Sequence, residues 1–123
     1  MELNTEEIGE VTVVSVLTQV IDAGNADDFK TGFASIVKES KKIVLELSRV
    51  NFIDSSGCGS LLSCHRQIKS LGGDLKICGP QEMVRTLFDL VRMYRVVDIF
   101  DSKEEAVKAF SILPLRHEGT KKE

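Results

Sequence analysis

The sequence predicts a single α/β domain, a mixed four- to five-stranded β-sheet with about four α-helices, and three observations carry that reading. β-Branched apolar runs recur at Val11-Thr12-Val13-Val14-Ser15-Val16-Leu17, Ile43-Val44-Leu45-Glu46-Leu47 and Leu75-Lys76-Ile77-Cys78, the composition of strands. The segments between them carry apolar side chains near helical period. Between the second and third runs lie one helical segment and a Gly72-Gly73 stop, a β-α-β crossover that requires parallel strands.

In chain order, Leu3 to Glu7 is an edge strand that pairs with the Val11 run through a turn at Gly9-Glu10. Asp22 to Asn25 breaks the strand pattern. Asn25 then suits a helix N-cap whose amide oxygen accepts from free N–H groups, and Asp27 and Asp28 sit where the helix dipole favours carboxylates. Ala26, Phe29, Phe33, Ile36 and Val37 follow at helical spacing and predict a helix to about Ser40. After the Ile43–Leu47 strand, Cys58, Leu61, Leu62, His65, Ile68 and Leu71 predict a second helix over 56–71. Pro80 breaks the next strand and Gln81-Glu82 opens a third helix with its stripe at Val84, Leu87, Phe88 and Val91. Val96 to Phe100 reads as the last strand, and Ser102-Lys103-Glu104-Glu105 is a capping box before Ala106, Val107 and Phe110. The segment Arg116 to Glu123 has no apolar residue, so the domain is expected over 1–115 and a disordered tail over 116–123.

A chain of 123 residues with 42% hydrophobic and 28% charged residues suits one domain with a self-sufficient core. No run of eighteen apolar residues occurs and the acidic start Met1 to Glu7 lacks a signal-peptide segment, so a cytoplasmic protein without membrane association is expected. A net charge of −3 with sixteen dispersed basic residues argues against nucleic-acid binding. Cys58, Cys64 and Cys78 form no C-x-x-C pair and read as reduced core thiols; no metal or cofactor is expected. His65 lies on the apolar stripe and reads as a packed helix histidine. No nucleophile elbow, P-loop or acidic receiver pair is present, so the chain is not expected to be an enzyme.

The chemistry concentrates in Phe52-Ile53-Asp54-Ser55-Ser56-Gly57-Cys58-Gly59, where a buried strand gives way to a helix start. Taken alone, Asp54-Ser55-Ser56 reads as an N-cap. Gly57 and Gly59, flanking the hydroxyls without side-chain bulk, suit the close approach of another protein to the backbone. Asp54-Ser55-Ser56-Gly57-Cys58-Gly59 resembles the D-S-[S/T]-G-[aliphatic]-G signature of STAS domains, specifically the bacterial anti-sigma factor antagonists. Three further stretches resemble that family in order: Leu17-Thr18-Gln19-Val20-Ile21-Asp22, Ile68-Lys69-Ser70-Leu71-Gly72-Gly73-Asp74-Leu75, and Val84-Arg85-Thr86-Leu87-Phe88-Asp89-Leu90. The resemblance covers about residues 3–112. Gln19 stands where the family usually has Gly, Cys58 where Leu or Val is common, and the usual Gly is missing from Val91-Arg92-Met93-Tyr94-Arg95.

The resemblance implies partner switching. Unphosphorylated, the chain would bind an anti-sigma factor that is also a serine kinase of the GHKL type, displacing a sigma factor; the kinase, holding its own ATP, would phosphorylate Ser55 and release the chain, and a serine phosphatase would reset it. The partner-binding residues so implied are Asp22, Asp54, Ser55, Ser56, Gly57, Gly59, Ser60 and Ser63. Ser60, Ser63, Gln67 and Ser70 are expected on the outer face of the second helix. Asp54 is either a structural cap or an aid in positioning the Ser55 hydroxyl, and Asp22 either a turn residue or a partner contact. Other readings are a STAS scaffold for a different protein, including a transport-associated one, and a small nucleotide- or lipid-binding module.

Overall fold

The computed structural model describes residues 1–112, so the domain end at 115 and the tail over 116–123 lie outside the described residues. The elements are β1 (Leu3–Ile8), β2 (Val11–Val16), β3 (Val20–Ile21), α1 (Ala26–Val37), β4 (Lys42–Glu46), β5 (Phe52–Ile53), α2 (Ser55–Ser70), β6 (Asp74–Cys78), α3 (Glu82–Leu90), a 3₁₀ turn at Met93–Arg95, β7 (Asp98–Phe100) and α4 (Lys103–Ile112). Five strands form a mixed sheet in the order β1-β2-β4-β6-β7, with β1 antiparallel to β2 and the other pairs parallel. The expected α/β class, strand number and four helices are all present.

Strand alternation divides the core in two. Val14, Val16, Ile43, Leu45, Leu75 and Ile77 cluster with Phe29 and Phe33 of α1, Leu61, Cys64 and Ile68 of α2, and Val84 and Phe88 of α3. Val11, Val13, Val44 and Cys78 form the other cluster under Ala106 and Phe110 of α4. Cys58, Cys64 and Cys78 are free and buried. Burial pushes the thiols of Cys64 and Cys78 up to about 12, so neither is a nucleophile at neutral pH.

Four local expectations are corrected. Asn25 occupies the N-cap position of α1 but its side chain caps nothing; its Oδ1 accepts from the Asp22 N–H at 2.9 Å and its Nδ2 donates to the Val20 carbonyl at 2.8 Å. Burial holds α1 instead, since fully buried Phe29 and Phe33 contribute about 2–3 kcal/mol each against about 1 for a cap. Helix α1 also ends at Val37, short of Ser40. The last strand begins at Asp98, because Met93–Arg95 form a 3₁₀ turn and Val97 turns into the core. Val91, expected on the inner stripe of α3, is about half exposed because the helix has already ended.

The far end of α2 is closed by charge. The glycine stop works as expected, with Gly72 at φ +86°. Beyond it, Asp74 lies 3.7 Å from Nε2 of buried His65, 3.8 Å from Nζ of Lys69 and 3.2 Å from Nζ of Lys76. Lys76, itself buried, reaches Asp98 at 2.9 Å and lies over the Phe110 ring at 4.8 Å. Burial of Asp74 opposes its ionisation, but His65, Lys76 and Lys69 outweigh it and hold the carboxyl down at about 2.

Candidate phosphoacceptor site

Two strands too short to show a sequence period build the site. β3 and β5 pair in parallel, Val20 with Phe52 and Ile21 with Ile53, a separate two-stranded ladder beside the main sheet. The next residue on each strand is an aspartate, so this register brings Asp22 and Asp54 to the same carboxyl-end edge.

Asp54 is the N-cap of α2, in extended backbone conformation. Its Oδ1 accepts from the Gly57 N–H at 2.8 Å and its Oδ2 from the Ala23 N–H at 3.2 Å. Both carboxylate oxygens are thus committed to main-chain donors, one in the helix it starts and one in the β3–α1 loop. That loop is tightened by Asp22, whose Oδ1 accepts from the Gly24 N–H at 2.9 Å, an Asx turn. The loop contribution was missed in the sequence; the Asp22-x-x-Asn25 spacing of two turn-forming residues was its signal.

Because Asp54 caps the helix from outside, α2 begins at Ser55, one residue earlier than the expected Ser56. Ser55 and Ser56 are both exposed. As the first two helical residues they carry N–H groups with no partner inside the helix, at its positive end. Ser55, Gly59, Ser63 and Arg66 recur at intervals of four, four and three and form a strip on one face; Gly59 and Arg66 are exposed and Ser63 is half-buried.

Two expectations about the site are overturned. Gly57 is buried, and a Cβ there would meet the Ile21 carbonyl oxygen and lie 2.7 Å from Ile53 Cγ2. Its missing side chain serves packing of α2 on the β3–β5 ladder, not the approach of a partner. Gly59, by contrast, is exposed and has open space above it. Ser60 is buried, with its hydroxyl donating to the Gly57 carbonyl at 2.7 Å. It shares the inner face with Gly57 and Cys64, three residues before and four after, a spacing visible in the sequence. The outer face is left with Ser63, Gln67 and Ser70.

The Cys58 thiol beside the turn is not activated. Burial, reinforced by the Asp54 carboxylate, raises the Cys58 thiol above its ordinary range. The turn presents the hydroxyls of Ser55 and Ser56 to solvent.

A family model described as the STAS domain matches residues 2–106. The chain belongs to the STAS domain family. BtrV of Bordetella bronchiseptica is 27% identical over 111 residues, covering 89% of this chain and 95% of that one. The anti-sigma-B factor antagonist of Bacillus subtilis is 25% identical over 88 residues, covering 72% and 81%. Among solved structures, the anti-sigma factor antagonist SpoIIAA in its unphosphorylated form shares the fold with a TM-score of 0.72 at 19% identity, covering 91% of this chain and 99% of that one. The phosphorylated form of SpoIIAA, a Bacillus protein, superimposes with a TM-score of 0.65 at 19% identity, covering 89% and 99%. In this STAS domain the signature hexapeptide therefore spans the N-cap and first turn of α2. Its departure after α3 is also legible: Arg92, in the segment where the family's glycine is missing, takes φ +58° and is the only non-glycine residue with positive φ among the described residues. Among the described residues no helix is long and apolar enough to cross a membrane.

Proposed function

We propose that this chain is a cytoplasmic anti-sigma factor antagonist controlled by phosphorylation of Ser55. The observation that carries the reading is the exposed Ser55 at the first position of α2, held there by an Asp54 carboxylate whose two oxygens are already occupied. Relatives named as antagonists and a fold known in a phosphorylated form support it. The chain supplies the acceptor hydroxyl; the anti-sigma factor, a GHKL-type serine kinase, supplies ATP and catalysis. The Ser55 oxygen bonds to the γ-phosphorus as the bond to ADP breaks, and the hydroxyl proton leaves to the kinase.

Phosphorylation adds a charge of about −1.5 to −2 and three acceptor oxygens. At the start of α2 the free amides and the dipole receive that charge, so the fold survives. A partner pressed against the turn has to bury the same charge without a matching cation, which breaks the complex. A serine phosphatase then restores the binding form.

The test uses the purified chain, ATP and the serine kinase encoded nearest its gene. Fragmentation mass spectrometry is expected to place one phosphate on Ser55. Ser55→Ala should remain bound to the kinase in the presence of ATP, and Ser55→Asp should bind weakly. Phosphate on Ser56 alone, no phosphate at all, or a Ser55→Ala chain that is released like the parent refutes the assignment.

A further inference from the structure

The exposed large apolar side chains of the described residues are not scattered. Seven stand out, and five of them, Met83, Leu90, Val91, Tyr94 and Val96, fall within residues 83–96. Met83 and Leu90 are 70% and 75% exposed, and with half-buried Leu87 they lie at i, i+4 and i+7, one stripe along α3. The inner stripe of the same helix is already filled by Val84 and Phe88. So α3 carries two apolar faces, and only one is needed for the core.

The helix that carries this ridge lies beside the strand that leads into the signature turn. Helix α3 packs beside β5, whose Phe52 is 47% exposed and whose next residues are Ile53, Asp54 and Ser55. The connector after α3 carries Arg92 and Arg95, both exposed and without an ion-pair partner among the described residues. It also holds the left-handed Arg92, a backbone conformation costing about 1 kcal/mol outside glycine, and such residues cluster at binding and switch segments.

We infer that the α3 ridge, Met83, Leu90, Val91 and Tyr94 with Phe52 at its border, is the affinity-bearing half of the surface that docks the anti-sigma factor kinase, against an apolar groove with an acidic rim. The inference rests on the Ser55 switch reading and deepens it. The Ser55 turn offers small, polar groups, which suit a charge switch but bury little area. Met and Tyr are enriched at interfaces, and Tyr and Arg among the side chains that carry most of the binding energy; Arg92 and Arg95, without an ion-pair partner among the described residues, call for acidic groups on the occupant.

The decisive variant is Met83→Asp/Leu90→Asp, at two positions with most of their surface in water, beside Arg95→Glu. Binding to the purified kinase with ADP is measured by calorimetry, self-association by sedimentation velocity, and folding by thermal melting. The expected result is a Kd raised at least tenfold for the double variant and severalfold for Arg95→Glu, with melting temperatures within about 3 °C of the parent. Ser55 phosphorylation at saturating kinase should continue in both. A double variant that binds within twofold of the parent overturns the ridge while a Ser55-phosphorylated parent keeps the switch. A parent that forms dimers dispersed by the double variant overturns the choice of occupant in favour of a second copy. Should the kinase neither bind nor phosphorylate the parent, both readings fall together.

Discussion

The two ends of α2 are each governed by one aspartate, and they are built to opposite purposes. At the start, Asp54 accepts from two main-chain amides, 2.8 and 3.2 Å away, and leaves two serines facing water. At the finish, Asp74 is surrounded by His65, Lys69 and Lys76, with Lys76 sealed beneath Phe110. A carboxylate satisfied by the backbone shapes a surface that something else can use. A carboxylate satisfied by cations consumes every group around it and fastens a helix to a sheet. On the proposed reading the first end is the one that would meet a partner, while the ion pairs of the second contribute stability.

The largest expected stability effect comes from the closed end. Lys76→Met keeps the length of the side chain but leaves Asp74 and Asp98 without their shared cation. A fully buried pair broken this way costs about 3–5 kcal/mol. Asp98 is more than half exposed, so a loss of roughly 2–3 kcal/mol is expected, read as a melting temperature lower by about 10 °C. Phosphorylation of Ser55 should be unchanged; a slowed reaction at a temperature where the variant is folded would break the division between the two ends.

At the open end, Asp54→Ala removes both a cap and the tie to Ala23. Caps of this kind are worth about 0.5–2 kcal/mol, so thermal denaturation should show a loss of about 1–2 kcal/mol. Its larger consequence should be functional, a drop in the phosphorylation rate of Ser55 measured by quenched-flow assay. A variant that loses stability but is phosphorylated at the parent rate would make Asp54 purely structural.

Acid supplies the smallest effect. The Asp74 carboxyl is held at about 2 against an ordinary 3.8, so its charged form is favoured by folding. That contribution is complete above about pH 4 and is lost as pH falls through 2. For a carboxylate about one-third exposed it amounts to about 1 kcal/mol after solvent screening. Urea titrations at pH 5 and pH 2.5 should therefore differ less for Asp74→Asn than for the parent by about that amount. An equal difference in both chains would mean that Asp74 is not the group that makes the closed end acid-sensitive.

What the sequence revealed follows from how each feature is encoded. The long strands were legible because Val11–Val16, Lys42–Glu46 and Asp74–Cys78 repeat β-branched and aliphatic residues over five or six positions. The β3–β5 ladder was not, since two residues cannot display an alternation. The signature turn was found from its local Asp-Ser-Ser-Gly chemistry, whereas the burial of Gly57 depends on Ile21, 36 positions earlier in the chain. Ser60 is a small polar residue that composition alone puts outside, although it shares the inner face with Gly57 and Cys64. The apolar ridge of α3 also escaped the sequence reading, because Met83 and Leu90 lie off the stripe that was sought.

On the proposed reading, the bond from the Ala23 amide to Asp54 would give the molecule a means of communication. It joins segments 31 residues apart, and it runs along the surface rather than through the core. A phosphate on Ser55 would compete with the neighbouring carboxylate for the amides at the head of α2, and any loosening of Asp54 would be registered at once in the β3–α1 loop. A partner resting on that loop would sense the state of a serine it does not touch, with no strand or helix having to move.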